Sequence, residues 1–179
     1  MQNSVIALLF CSLLAACGGT ASNVVTTGNG GNQSVSGSAT AMPTPSNKFT
    51  AEDIAKLKWI EGDWRGMDAD KSFYERYKLD GTSLIVDSIK DETFKDVEES
   101  GKFELVNGEF GKTEGDQRSA ASSITDKWIQ FVPAPGSKGN MFRFESVDAN
   151  TWHAILENPG HPDPEKRRKT YVMERWPKK

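Results

Sequence analysis

Three tight-turn signals constrain this chain more than any other feature. Asp80-Gly81, Asn107-Gly108 and Asp148-Ala149-Asn150 each separate two runs in which apolar and polar residues alternate. Asn-Gly and Asp-Gly supply the left-handed backbone that a two-residue hairpin demands, so the runs on either side should pair as strands. Those runs are 71–79, 83–89, 102–106, 109–112, 141–147 and 151–157. Residues 126–132, stopped by Pro133, and 170–176 read as two further strands, and Pro135-Gly136 marks a loop. Short strands with turns at this spacing predict a mostly β chain, an antiparallel barrel or a sandwich.

A single short helix is expected ahead of the strands. Thr50 is placed as an N-cap with Asp53 at the third helical position, and the helix should run to about Trp59 before Gly62 stops it. Its apolar positions Ile54, Leu57 and Ile60 would face the mouth of a barrel. The next residues, Gly62-Asp63-Trp64, join this lead-in to a first strand. Gly62 permits a close approach of another segment, and Trp64 points to the same side of the strand. A tryptophan there can plug one end of a barrel, its N–H seeking a partner at the rim.

The first part of the chain has a different character. Residues 5–16 are an uncharged apolar run ending in Leu14-Ala15-Ala16-Cys17-Gly18. The run has the length of a signal peptide rather than the roughly 20 residues of a spanning helix. It resembles the bacterial lipobox, which implies acylation of Cys17 and removal of 1–16. Met1-Gln2-Asn3-Ser4 departs from that pattern by carrying no basic residue. Cys11 would leave with the signal peptide, so the folded part is expected to have neither a free thiol nor a disulfide. Residues 17–48 are mostly Gly, Ser, Thr, Asn, Val and Pro with no charge before Lys48, the composition of a tether that cannot build a core. Every charged residue lies in 48–179, and 49–179 is expected to form one barrel domain. A net charge of −3 and pI near 5.5 argue against nucleic acid as a partner. The expected partners are the membrane, reached through Cys17, and a small apolar or amphipathic ligand. Gly18 after Cys17 is similar to lipoproteins sent to the outer membrane, on its periplasmic side.

Three separated segments carry a second resemblance. Leu57-x-Trp59-Ile60-Glu61-Gly62-Asp63-Trp64-Arg65, Tyr74-Glu75-Arg76-Tyr77 and Leu156-Glu157-Asn158-Pro159-Gly160-His161 occur in that order. Together they resemble a bacterial domain family of unknown function with a calycin-type, lipocalin-like barrel. The likeness spans most of 55–176 and implies an up-and-down antiparallel barrel. His161 is followed here by Pro162-Asp163-Pro164, where the family has Asp-x-Pro. In lipocalins the Gly-x-Trp tryptophan packs beneath an arginine from near the chain's end; the matching residue here is Arg175, on the face of Tyr171 and Met173.

The candidate ligand-binding residues are Trp64, Glu75, Tyr77, Arg143, Asn158 and His161. Strand parity groups Glu75 with Phe73, Tyr77 and Leu79, so an inward-facing strand would bury a carboxylate in an apolar lining. Such a group would receive a ligand's donor or form an internal ion pair, with Arg143 a named partner. His153 and His161 are the only histidines and have no metal-ligand spacing, so neither a metal nor another cofactor is expected. No catalytic residue is assigned, and Gly-x-Ser-x-Gly is absent. The leading expectation is a non-enzymatic ligand-binding barrel. Its alternatives are a cavity enzyme using Glu75 and His161 as acid and base, a purely structural envelope protein, and a haem barrel of nitrobindin type with His161 as axial ligand. The longer glycine-rich opening of nitrobindin is missing after Trp64.

Overall fold

A computed structural model describes residues 48–177, apart from Asp116 and Lys138. Cys17, the expected signal peptide 1–16 and the expected tether up to residue 47 therefore lie outside the described residues. Thr50 caps the helix α1, Ala51–Ala55, by a reciprocal capping box with Asp53. The expected helix tightens early, because Lys56–Ile60 is a 3-10 turn. Ile54, Leu57 and Ile60 are buried in the core all the same.

Ten antiparallel strands follow: β1 (Gly62–Asp68), β2 (Lys71–Asp80), β3 (Ser83–Ile89), β4 (Val97–Val106), β5 (Glu109–Glu114), β6 (Gln117–Ile124), β7 (Trp128–Pro133), β8 (Met141–Asp148), β9 (Thr151–Glu157) and β10 (Arg168–Arg175). Each pairs with its neighbour in sequence, and β1 pairs with β10 to close the barrel. The sandwich alternative is thereby excluded. Asn107 and Gly108 both take positive φ, as the two central residues of a type I′ hairpin require. At the first hairpin the turn is displaced by one residue: Asp80 pairs with Ser83 and the loop is Gly81-Thr82.

Two elements depart from expectation. The strand expected at 102–106 begins already at Val97, its first half held by backbone pairing to β3 although its side chains are mostly exposed. Strand β6 was not expected at all, since Ser119-Ala120-Ala121-Ser122-Ser123 lacks the β-branched and aromatic residues that mark strands.

The registers give the barrel two unlike ends. One receives α1, the 3-10 turn, Trp64 and the β2–β3, β4–β5 and β8–β9 turns; Phe49 N–H bonds to Gly108 O there at 2.8 Å. Its interior is filled by Trp64, Trp152, Tyr77, Phe103, Phe110, Phe131 and Phe144. The opposite end carries the loops 90–96, 134–140 and 158–167. No described helix is long and apolar enough to cross a membrane.

Candidate functional site

The plugged end is locked by Arg175. Gly62 has φ +125, and a Cβ there would lie 2.4 Å from Arg175 Nη1, so only glycine leaves room for the guanidinium. Arg175 donates from Nη1 to Glu61 O at 3.0 Å and from Nε to Ala149 O at 3.0 Å. Its guanidinium carbon lies 4.1 Å from the centroid of the Trp64 ring, directly across the β1–β10 register. Trp64 is buried, and its Nε1 donates to Ile60 O at 2.7 Å. Trp64 and Arg175 therefore close the barrel floor.

Deeper in the wall lies Glu75. Its strand buries Phe73, Glu75 and Tyr77 and leaves Tyr74, Arg76 and Lys78 outside or at the surface. Glu75 is 1 % exposed, and its Oε2 accepts a 2.7 Å bond from the Tyr77 hydroxyl. Tyr77 in turn packs edge-on to Trp152 and Phe144. On the other side Phe73 meets Tyr171 edge to face. The carboxyl is thus set between two aromatic layers. Burial drives its pKa up; the Tyr77 bond and the charge of Lys112 draw it part of the way back, to about 7. Burial, followed by the neighbouring Glu75 charge, pushes the Tyr77 phenol well above its usual value. Near neutral pH Glu75 can accept a donor as carboxylate or offer a proton as acid.

Register extends this position into a polar row on the inner wall. Glu75 is opposite Ser88, and Ser88 is opposite Glu99. Beyond Glu99 the wall is split. Strands β4 and β5 pair only from Glu104 with Gly111 to Val106 with Glu109, while Val97–Phe103 and Lys112–Glu114 diverge. A cleft of about 410 Å³ occupies the divergence, lined by residues including Glu99, Gly101, Lys102, Lys112, Glu114 and Arg118. Lys112 crosses it with only 12 % of its side chain exposed, 3.2 Å from Glu114 Oε2.

The remaining candidates are placed as follows. Arg143 is on the outer face, because its neighbours Phe142 and Phe144 take the inward positions. It donates to Gln130 Oε1 at 2.9 Å and stacks on Trp128, so the ion pair considered for Glu75 and Arg143 does not form. Asn158 and His161 are in the loop after β9, at the end opposite Trp64; Asn158 N–H bonds Arg167 O, and His161 Nδ1 accepts from Asp163 N–H at 3.1 Å. Glu75 and His161 each have their own partner, and no contact joins them. Among the described residues there is no grouping of three or more His, Cys, Asp or Glu side chains suited to a metal ion. The structure thus unites Glu75 with Tyr77, and Trp64 with Arg175, but not the candidates as one set. It adds Ser88, Glu99, Gly101 and Lys112, which sequence reasoning missed. Their parity with Val86, Phe103 and Phe110 was the available signal.

No family model matches this chain, and no curated protein matches it.

Proposed function

We propose that this chain is a lipid-anchored protein of the bacterial cell envelope whose barrel holds a small amphipathic molecule. In this reading residues 1–16 direct export, Cys17 carries the acyl chains, and 17–48 tether the domain to the outer membrane on its periplasmic side. Two or more acyl chains are enough for stable anchoring. A calycin-type barrel belongs to the same proposal; the short plugging helix, the Gly62-x-Trp64 opening and the arginine over the tryptophan support it.

The observation that carries the binding reading is Glu75: a carboxyl buried between aromatic layers, at the head of a polar row that leads to a cleft. The dense aromatic fill of the plugged end leaves the cleft as the place for a guest. The polar row favours an amphipathic guest over a wholly apolar one, its donor group meeting Glu75. 1-Decanol and decyl methyl ether test this directly, because the ether has the same chain but no donor. Tryptophan fluorescence titration should give the alcohol about tenfold tighter binding, as one hydrogen bond to a charged acceptor provides. Glu75→Met should erase the preference. Binding of neither probe, or equal binding of both by the wild-type protein, refutes the reading. Anchoring is tested separately: Cys17→Ser should abolish palmitate incorporation and release the protein from membranes.

A further inference from the structure

Gly101 is in the interior of a strand, with no positive φ that would call for glycine, and glycine there weakens pairing. Its explanation is across the cleft. A methyl group on Gly101 would sit 3.1 Å from Lys112 Nζ and 3.5 Å from Lys112 Cε. The missing side chain is the space through which the Lys112 stem passes. Lys112 shares the inward parity of Phe110, so the ammonium is carried to the interior side of the split wall. Register sets Gly101 opposite Val86 and Val86 opposite Tyr77, so the ammonium lies in the row of Tyr77, where its charge favours the ionised form of Glu75.

We infer that Lys112, admitted by Gly101, is a positioning residue that holds the Glu75–Tyr77 pair toward its charged form. The inference rests on the binding reading for its purpose, since it names what controls the acceptor that the ligand meets. The physical argument does not need the ligand. A buried carboxyl with an apolar surround ionises only when a cation or a donor is near, and the inner wall offers few. The other ionisable groups of inward parity toward Glu75 are Lys71 and Tyr77 on its own strand, Asp68 on β1, Glu99 on β4, Glu114 on β5, and Lys169, Tyr171 and Arg175 on β10. Lys71 is exposed, Lys169 is held by Asp68 at 2.6 Å, and Arg175 is taken up by Trp64 and the Glu61 carbonyl. Lys112 is mostly buried, 3.2 Å from Glu114 Oε2 on its own strand. Lys78, exposed on the outer face of β2 and away from the cleft, serves as the control.

The test is a carboxyl ¹³C NMR titration of Glu75 in the full folded domain. Lys112→Met should move the Glu75 midpoint up by about one pH unit. Gly101→Ala keeps the lysine but pushes its flexible end away, and should move the midpoint in the same direction by a smaller amount. Lys112→Arg should restore most of the wild-type value, and Lys78→Met should leave it unchanged. A merely structural role for Lys112 would alter melting without this pattern. Midpoints for Lys112→Met and Gly101→Ala within 0.2 unit of wild type (on the order of the smallest shift worth reading as an interaction) overturn the inference. Should Lys112→Met not fold, the Gly101→Ala titration decides alone. Decanol binding by the same variants separates the two ideas. A shifted titration with no decanol binding removes the ligand reading and leaves Lys112 in its role; decanol selectivity with an unmoved titration does the reverse.

Discussion

The barrel has two short seams, and they are closed in opposite ways. At the first, β1 meets β10 only where Trp64 faces Arg175 and Arg65 faces Glu174. Beyond the two-residue ladder one further backbone bond joins Trp176 N–H to Asp63 O, and side chains do the rest: Arg175 covers Trp64, and Arg65 pairs with Glu174 at 2.9 Å and stacks on Trp176. At the second, β4 meets β5 over a similarly short ladder, but the strands then part around a polar cleft bridged by one lysine. The lesson is that a short ladder does not by itself make an opening. What decides is whether bulky, hydrogen-bonded side chains or flexible charged ones occupy the gap.

Breaking the sealed seam should have the largest effect. Trp64→Ala removes a fully buried indole from the floor and should cost about 3–5 kcal/mol in denaturant unfolding. A loss below 1 kcal/mol, on the order of a surface change, would show that the floor is held by other groups. At the split seam the effect is set by pH. Glu75 has its pKa raised in the fold, from 4.5 to about 7, so it favours the folded state below about 4.5. That contribution is lost as pH rises through about 7, because the unfolded chain ionises first and binds fewer protons. The full loss is of order 3 kcal/mol. Glu75→Gln, a neutral isostere, should flatten that window and be the more stable protein at pH 8. Parallel pH–stability curves for the two would mean that Glu75 is not buried as described. The smallest effect sharpens the contrast: a double-mutant cycle of Trp64→Phe with Arg175→Met should give a coupling of about 0.5–2 kcal/mol. Lys102→Met with Trp64→Phe should be additive, the pair lying on different seams.

Much of the sealed region was legible from sequence, and much of the split region was not. Thr50 and Asp53 announce the cap, Asn107-Gly108 the hairpin, and the alternation Phe73, Glu75, Tyr77 the inward face, because each rule acts within a few residues. The parity that groups Arg175 with Tyr171 and Met173 also puts it over Trp64. In the first half of β4 the inward positions are Glu99 and Gly101, which face a cleft rather than a core, so alternation fails where the wall opens. The small residues of β6 gave no strand signal because they are held by the backbones of β5 and β7 on either side, not by their own propensity. Arg143 could not be placed because its partner, Gln130, is on an adjacent strand whose register no local rule supplies.

The Arg175 lock also sets an order of events. Each hairpin of an up-and-down barrel can form as soon as its two strands exist, since their contacts are close in sequence. The lock joins Glu61 to Arg175, separated by 114 residues, and cannot form before nearly the whole chain is present. Until then β1 and β10 each present an open edge, and Trp64 lacks its covering arginine. A chain shortened by five or six residues would therefore retain every hairpin and still be left permanently at that unfinished stage, with its floor open and an unpaired strand available to a neighbour.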